Sequence, residues 1–441
     1  MKALTPLAAA LLLSACGGGG DARSGSCDAV AEKRFVLDVA REWYLFPEDL
    51  PASIDPAAFA DAESLLDALT ARSREQGKDR FFSFLTTRSA DNANSAGELT
   101  RFGFQFEPES DRLRLSLVLQ PGPAFQAGLQ RGDQILAVDQ RDGRSFRTIE
   151  QLRAEDPTLA GVFGPNTGGV QRGLRIQPRD PVQAVYELSL TKTSFIVDPV
   201  PDEGGLRLIP RNGQSPVGYL QFLDFSTAAE ADLRAAFNTF RAQGVTDYLI
   251  DLRYNGGGLL SVAYLFGDLL GRERRTTEVF AGVSYNPSKS SRNETRFFRP
   301  QPQSVAPLRI AFLTGEGTAS ASELMVNSLL PYAEVAIIGA DTFGKPVGQS
   351  AFDQPGCDTR LRLVTLKLVN AEGLGEYYNG LADVVPVACG ASDDLSRETG
   401  DPAEAVTRAG LDWLADGRCP AMSRSAGSRD SLRGERFEQV Q

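Results

Sequence analysis

The chain has 441 residues, a formal net charge of −11 at pH 7 and no histidine. An acidic chain without a basic stripe is not expected to bind nucleic acid. Because the chain has neither histidine nor a Cys-x-x-Cys pair, we expect no zinc site. Its length is sufficient for two or three domains.

The N-terminus predicts export. Residues 1–15 form a short apolar run that ends in small residues, which is typical of a secretory signal and too short to span a bilayer. The sequence Leu13-Ser-Ala-Cys16 resembles the lipobox of bacterial lipoproteins, which implies acylation of Cys16 and a lipid anchor to the membrane. The expected location is the periplasmic face of the cell envelope, and Gly17 favours the outer membrane if the source is Gram-negative. The alternative is a plain signal peptide with an incidental cysteine.

Four further cysteines predict two disulfides, because an even number in an exported chain is typical of a disulfide framework. Four cysteines allow three pairings. We expect Cys357 to pair with Cys389 and Cys27 with Cys419, since the second bond would join the two ends of the folded region. Free buried thiols are the alternative.

The chain then divides into segments of different pattern. After a flexible linker at 16–27, residues 28–98 predict an N-terminal helical domain, with helices at 29–45 and 57–72 and a polar connection from 79 to 98. Residues 99–197 alternate as half-buried strands do, which predicts a β-rich module. From 198 to 419, after a Pro/Gly-containing linker at 198–215, strands and helices alternate, which predicts an α/β core. Residues 420–441 are polar and predict a disordered tail.

The β-rich module carries a recognisable motif. The sequence Gly128-Leu-Gln-Arg-Gly-Asp-Gln-Ile135 and its flanks resemble the core pattern of PDZ domains. The resemblance places a carboxylate-binding loop at Arg101, Phe102, Gly103 and Phe104. In such a loop, consecutive backbone N–H groups bind a peptide's terminal carboxylate while the peptide adds a strand to the sheet. An insert at 153–173 departs from compact members of the family.

Three separated motifs of the α/β core, together with the PDZ pattern, resemble the tail-specific, or C-terminal processing, peptidases. They are Asp251-Leu-Arg-Tyr-Asn-Gly-Gly257, Thr318-Ala-Ser-Ala-Ser-Glu323 and Thr342-Phe-Gly-Lys-Pro-Val-Gly-Gln349. The sequence departs from the family at Gly256, where proline is commoner, and in the closing segment 379–386, which is one residue shorter. The resemblance implies a crotonase-like α/β peptidase core that needs no cofactor.

The same motifs predict the chemistry. A serine nucleophile needs a base, and a neutral lysine is the next candidate where histidine is absent. The resemblance assigns Ser320 as nucleophile, Lys345 as base and Gln349 as its orienting partner, with Gly257 and Ala321 as backbone oxyanion donors. Ser322 is the competing nucleophile. We expect Lys345 to be buried without a paired carboxylate, because desolvation would lower its pKa.

The reading favoured by these motifs is a serine endopeptidase that captures exposed protein C-termini. One alternative is a catalytically inactive PDZ scaffold on a peptidase-like core. Another is a hydrolase of small esters or amides, which would be insensitive to blocking of the PDZ groove. The sequence leaves open whether an adaptor protein or a homo-oligomer takes part.

Overall fold

The computed structural model describes residues 27–141, 145–159 and 161–422. The predicted signal peptide, Cys16, most of the linker before Cys27 and the tail beyond 422 lie outside the described residues. None of the described helices is long and apolar enough to cross a membrane.

The described residues form nine helices and nineteen strands. The helices are α1 Ala29–Trp43, α2 Ala62–Glu75, α3 Arg88–Ser95, α4 Pro123–Gln126, α5 Ile149–Glu155, α6 Ala229–Ala242, α7 Leu260–Leu269, α8 Ala321–Leu329 and α9 Ala405–Asp416. The strands are β1 Phe84–Thr87, β2 Glu98–Arg101, β3 Phe104–Pro108, β4 Leu113–Val118, β5 Gln134–Asp139, β6 Arg147–Thr148, β7 Gln171–Gln177, β8 Tyr186–Thr191, β9 Thr193–Ile196, β10 Leu206–Arg211, β11 Gln214–Gln221, β12 Asp247–Asp251, β13 Val279–Tyr285, β14 Glu294–Phe297, β15 Arg309–Thr314, β16 Glu334–Gly339, β17 Val347–Asp353, β18 Thr359–Val369 and β19 Val387–Gly390.

The α/β core is built on a six-stranded sheet in the order β10-β11-β12-β15-β16-β19. All neighbours from β11 to β19 are parallel, and β10 pairs antiparallel with β11 at one edge. Helices cover both faces, as a parallel sheet requires. One face packs on α6, α7 and α8 through residues such as Phe237, Phe266 and Met325. The other packs on α9 through Trp413 and Leu414.

A second sheet joins the N-terminal helices to the core. It runs β1-β18-β13-β14, and β17 also pairs with β18. Helices α1 and α2 pack on it, with Val36 and Leu66 in one cluster with Leu361 and Val364. The β-rich module forms a separate sheet in the order β3-β4-β5-β7-β8, with β6 on β5.

Two connections predicted to be irregular are ordered. The predicted linker at 198–215 contains β10, whose Pro210 lies at a register shift on the sheet edge, where its missing N–H removes no ladder bond. The predicted polar connection at 79–98 contains β1, α3 and the start of β2. The sequence analysis did not identify these elements, because short edge strands and a short polar helix carry little periodic signal.

The predicted disulfide pairing was also wrong. The bonds are Cys27–Cys357 and Cys389–Cys419. Cys357 lies in the turn between β17 and β18, next to the start of α1, where Thr359 donates to Glu32. Cys389 lies in β19, and the chain after α9 returns to this strand through the Cys389–Ala421 bridge. Each bond therefore joins two cysteines that the fold places side by side, and the distance between them in the sequence does not reveal this.

Replacing Cys27 and Cys357 together with serine is expected to lower the free energy of unfolding by about 2 kcal/mol more than the matched Cys389 and Cys419 pair. The bonds close segments of 330 and 30 residues, and in the chain-entropy model the longer loop restricts the unfolded chain more. Urea unfolding of both variants measures this difference. Peptide mapping without reduction checks the pairing, and a Cys357–Cys389 peptide would contradict it.

Candidate active site

Three loops meet at one edge of the core sheet. They follow the carboxyl ends of β12, β15 and β16, which are consecutive neighbours in the sheet. The first loop carries Gly257, the second carries Ser320 and the third carries Lys345. Because the carboxyl ends of parallel strands lie at the same edge, residues distant in sequence converge there.

Ser320 has an unusual backbone conformation. It precedes α8 with φ 57° and ψ −114°. A positive φ is strained for a residue with a Cβ and costs about 1–3 kcal/mol, which is a feature of functional sites. Gly257 lies against this turn: a Cβ at position 257 would be 2.8 Å from the Ser320 Cβ and 2.8 Å from the Ala319 carbonyl oxygen. Gly257 also has φ +104°, so both space and conformation require glycine here.

The Glu323 carboxylate holds the second and third loops together. It is fully buried and accepts the backbone N–H of Ser320 at 2.9 Å and of Lys345 at 2.8 Å on one oxygen. The two backbone nitrogens therefore lie within 5.7 Å of each other, the sum of these distances. The other oxygen accepts the Thr342 hydroxyl at 2.6 Å and the Gly344 N–H at 2.7 Å. In sequence, Glu323 had only the signature of a first-turn helix carboxylate.

Lys345 is buried, with 2% of its surface exposed. Its Nζ lies 5.1 Å from the centre of the Phe82 ring and donates to Gln349 Oε1 at 2.9 Å. Burial lowers the pKa of Lys345 to about 7, although the Asp79 and Glu323 carboxylates act in the opposite direction. The amine is therefore substantially neutral at physiological pH, as a general base must be.

Gln349 has a fixed orientation. Its Nε2 donates to the Phe82 carbonyl, so its Oε1 faces the Lys345 amine. An amide oxygen orients the amine without adding a charge that would stabilise the ammonium form. The structure thus joins the side chains of Lys345 and Gln349, and Glu323 holds the backbone of Ser320 near that of Lys345.

Residues 79–83 complete the lysine pocket, and sequence reasoning missed them. Asp79 is fully buried and accepts bonds from Tyr44 Oη at 3.0 Å, Ser83 Oγ at 2.6 Å and the Phe82 N–H at 2.8 Å. Arg80 donates to the carbonyls of Phe343 and Gly344, at 2.6 and 2.7 Å, in the loop before Lys345. The Asp-Arg-Phe-Phe-Ser run was the available signal, because two charged residues are followed there by two aromatic residues within a polar segment.

Asp341 lies four residues before Lys345, and its carboxylate binds backbone N–H groups. Its Oδ1 accepts the N–H groups of Thr342 and Ala382 at 2.8 and 2.9 Å. Burial raises the pKa of Asp79 above its usual value, and the bonds it accepts from Ser83, Tyr44 and Phe82 act in the opposite direction. Burial and the charge of Arg362 lower the pKa of Lys345, whereas the Asp79 and Glu323 carboxylates raise it.

The two predicted oxyanion donors differ in this structure. Ala321 is the first residue of α8, so its N–H has no acceptor within the helix. The Gly257 N–H donates to Asn255 Oδ1 at 2.9 Å. The Asn255 side chain is fully buried, and its Nδ2 donates to the Phe222 carbonyl at 2.9 Å.

The competing nucleophile has a structural contact. The Ser322 hydroxyl is fully buried and donates to the Asn255 carbonyl at 3.0 Å. This bond connects the start of α8 to the Gly257 loop, so Ser322 positions that loop.

The predicted peptide-binding residues lie in the β-rich module. Arg101 ends β2, Phe104 begins β3, and Phe102 and Gly103 form the turn between them. Gly103 has φ +84°, which suits a turn that exposes consecutive N–H groups. The structure therefore places this loop and Ser320 in different modules.

Arg131 connects the β-rich module to the Gly257 loop. Its guanidinium bonds Asp393 and the Tyr254 hydroxyl, and the neighbouring Arg253 donates to Asp393 at 2.7 Å. Arg253 also pairs with Asp251 at 2.6 Å and is buried. The charges of Arg253 and Arg131 hold the pKa of Asp393 below its usual value, despite its burial. The loop that carries Gly257 is thus fixed at its start by ion pairs.

Family models match three parts of the chain. Residues 216–380 match peptidase family S41, residues 31–84 match the peptidase S41 N-terminal domain and residues 94–158 match the PDZ domain. The expected multi-domain α/β fold, with a helical N-terminal region, a PDZ domain and a peptidase core, is confirmed.

Known proteins with similar sequences and structures agree with these matches. The chain is 31% identical over 265 residues to the carboxyl-terminal-processing protease of Picosynechococcus sp. and 30% identical over 264 residues to that of Synechocystis sp.. Each match covers 59% of this chain, and the chain spans 58% and 56% of those relatives. The structure of a putative S41 protease from Bacteroides fragilis is 25% identical, with a TM-score of 0.68 over 86% of this chain and 97% of that one.

Substituting Glu323→Gln is expected to lower the free energy of unfolding by about 3 kcal/mol. One carboxylate oxygen would become an NH2 group that faces donors and cannot accept their hydrogen bonds. Hydrogen bonds to a buried charged acceptor also contribute more to stability than bonds to a neutral one. Urea unfolding measures the change. Glu316→Gln, on the exposed part of the same turn, is the matched control and should change stability by less than about 0.5 kcal/mol. Equal stability of the two variants would contradict the positioning role of Glu323.

Proposed function

Because the chain belongs to peptidase family S41 and carries that family's N-terminal domain and a PDZ domain, we propose that it is a serine endopeptidase that cleaves proteins near their C-termini. Ser320 is the nucleophile, Lys345 is the base and Gln349 orients the base. The observation that carries the proposal is the buried Lys345 amine, whose pKa is lowered to about 7 and whose Nζ donates to a neutral amide.

The reaction begins with proton transfer from Ser320 Oγ to the neutral Lys345 Nζ as the oxygen attacks the scissile carbonyl carbon. When the C–N bond breaks, the lysine ammonium gives this proton to the leaving nitrogen, which departs with the C-terminal fragment. The shortened substrate remains as an ester on Ser320. Water then loses a proton to Lys345 and attacks the ester, and the ammonium returns the proton to Ser320 Oγ as the new carboxylate leaves.

Backbone donors stabilise the oxyanion of each tetrahedral intermediate. The Ala321 N–H serves directly, because it lies at the positive end of α8. The Gly257 N–H serves after it exchanges its bond to Asn255 Oδ1 for the substrate oxygen. Gly257 and Gly258 both have positive φ, and as glycines they can change conformation at a lower cost than residues with a Cβ.

Substrate capture is assigned to the PDZ domain. An exposed C-terminus binds the loop from Arg101 to Phe104 and adds a strand to β3, and the chain upstream of it reaches Ser320. We also propose that the protein is exported and anchored through an acylated Cys16. The two disulfides in the described residues support export, because such bonds persist in oxidising compartments.

Ser320→Ala and Lys345→Ala are each expected to reduce kcat/KM at least a thousandfold on an unfolded protein with an apolar C-terminus. For the unsubstituted chain, kcat/KM should rise as the pH rises through about 7, because below this pH the lysine is protonated and cannot accept the serine proton. Cleavage followed by mass spectrometry over a pH series measures both effects.

Ser322→Ala tests the competing nucleophile. Cleavage should persist at a reduced rate, because this change removes the bond to the Asn255 carbonyl that positions the Gly257 loop. Ser328→Ala, at another buried serine of α8, is the matched control and should leave kcat/KM unchanged. Cleavage that survives Ser320→Ala and is lost in Ser322→Ala would reassign the nucleophile. Binding of the tail without cleavage by any form would favour the scaffold function. Cleavage of small esters alone would favour the small-substrate hydrolase.

Gln349→Glu is expected to move the midpoint of the pH profile upward by about 1–3 units. A carboxylate 2.9 Å from Nζ favours the ammonium form, so a higher pH is needed to obtain the neutral amine. The pH dependence of kcat/KM measures the shift. Gln243→Glu makes the same charge change at the exposed end of α6 and should leave the midpoint unchanged. An unshifted midpoint in Gln349→Glu would remove Lys345 as the titrating base.

A further inference from the structure

The PDZ domain contains a groove beside its edge strand. Among the described residues, β3 pairs only with β4, so its other edge is available for strand addition. Helix α5 lies alongside, because Arg153 donates to the Glu109 carbonyl just beyond β3, at 2.8 Å. Three aromatic side chains, those of Phe102, Phe104 and Phe106, lie along the strand and the loop before it.

A side chain from the insert occupies this groove. The Phe163 ring contacts all three aromatic rings, with centroid distances of 6.2 Å to Phe102 and 5.4 Å to both Phe104 and Phe106. Two of these three residues belong to the predicted carboxylate-binding loop. Phe163 is therefore placed where the apolar side chain of a bound C-terminus would pack.

A buried cation binds the backbone that follows Phe163. Lys192 is 3% exposed, and its Nζ donates to the carbonyls of Gly164 and Pro165 at 2.9 and 3.0 Å and to Asn166 Oδ1 at 2.8 Å. The same Nζ lies 5.2 Å from the centre of the Phe102 ring. These three acceptors are neutral oxygens of one segment, whereas a carboxylate at the same position would form stronger, charge-assisted bonds.

Other charges favour an anion at this position. Burial, together with the positive charges of Arg172 and Arg101, lowers the pKa of Lys192 to about 8. A negative group beside Lys192 would offset the repulsion among these three positive charges more fully than the neutral carbonyls do.

The occupying segment is anchored at both ends and exposed between them. At its start, Val162 is 4% exposed and packs in the domain core, and Arg172 donates to its carbonyl at 2.7 Å. At its end, the Gly169 N–H donates to the Lys192 carbonyl at 3.0 Å. Residues 165–169 are exposed to solvent, so the part after Val162 can leave the groove while the two ends stay in place.

We propose that residues 161–170 are an internal ligand of the PDZ groove, in which Phe163 takes the place of a substrate's last apolar side chain. When this segment is displaced, Lys192 binds the terminal carboxylate of the substrate. The proposal rests on the proposed capture function and makes capture competitive with the protein's own segment.

The test measures binding separately from cleavage, in the full chain carrying Ser320→Ala. The probe is a fluorescent decapeptide that ends in phenylalanine with a free carboxylate, and its carboxamide form is the comparison. Phe163→Ala should tighten binding of the carboxylate peptide about tenfold, because the groove no longer has to be vacated. Phe146→Ala removes another half-buried phenylalanine of the same domain and should leave the affinity unchanged.

The role of Lys192 is tested by comparing the affinity for the carboxylate peptide with the affinity for the carboxamide peptide. Adding Lys192→Met to Phe163→Ala should abolish this preference, whereas Phe163→Ala alone should retain it. Unchanged or weaker binding by a folded Phe163→Ala variant would overturn the internal ligand. An intact carboxylate preference in the double variant would overturn the assignment of Lys192.

A measurement on the chain with native Phe163 covers the case in which the variant fails to fold. Saturating peptide should accelerate amide hydrogen exchange within residues 161–166, since the segment leaves the groove, and unchanged or slower exchange would overturn the proposal. Binding as expected without cleavage by the Ser320 form would reject the proposed peptidase function alone. Cleavage of the same tail without any effect of Phe163→Ala would reject the internal ligand alone.

Discussion

A neutral amine requires an environment without water and without a close counter-charge, and much of this structure supplies that environment for Lys345. The amine is enclosed by Phe82 and bonded to an uncharged amide, while the nearest carboxylates are themselves occupied by other donors. Glu323 binds backbone and hydroxyl donors, and Asp79 binds Tyr44 and Ser83. Both carboxylates therefore hold neighbouring groups in place. Desolvation of the Lys345 amine lowers its pKa by more than their charges raise it.

The arrangement of strands explains why the three loops of the candidate site lie close together. Consecutive parallel strands β12, β15 and β16 deliver one loop each to the same edge, and Glu323 fixes the second and third loops within a few ångströms. The first loop approaches closely because Gly257 has no side chain. Its start is held by Arg253 and Arg131, so the PDZ domain and the catalytic edge share the Asp393 carboxylate. In the proposed function, the capture domain and the catalytic edge are therefore connected through ion pairs at one loop.

The motifs singled out Ser320, Lys345 and Gln349 as candidate site residues, because each lies at a fixed spacing next to a strongly patterned strand. Their roles stay predictions, whereas the residues that surround Lys345 were missed. The contribution of Asp79 was not predictable, since its burial depends on donors from Tyr44 and Ser83 that only the folded chain brings together. The disulfides failed for a similar reason: pairing depends on which strands and turns adjoin. The position of Phe163 was not predicted, because it lies in an insert whose composition resembles that of an ordinary loop.

The contact between Gln349 and the Phe82 carbonyl spans 267 positions of the chain, and this separation has a consequence for the timing of activity. Before these distant segments join, Lys345 is hydrated and has its ordinary pKa of 10.5, so its amine is protonated at neutral pH. In the proposed function, a newly made or partly folded chain therefore has a serine without a base. Folding of the chain is then the step that supplies the base to Ser320.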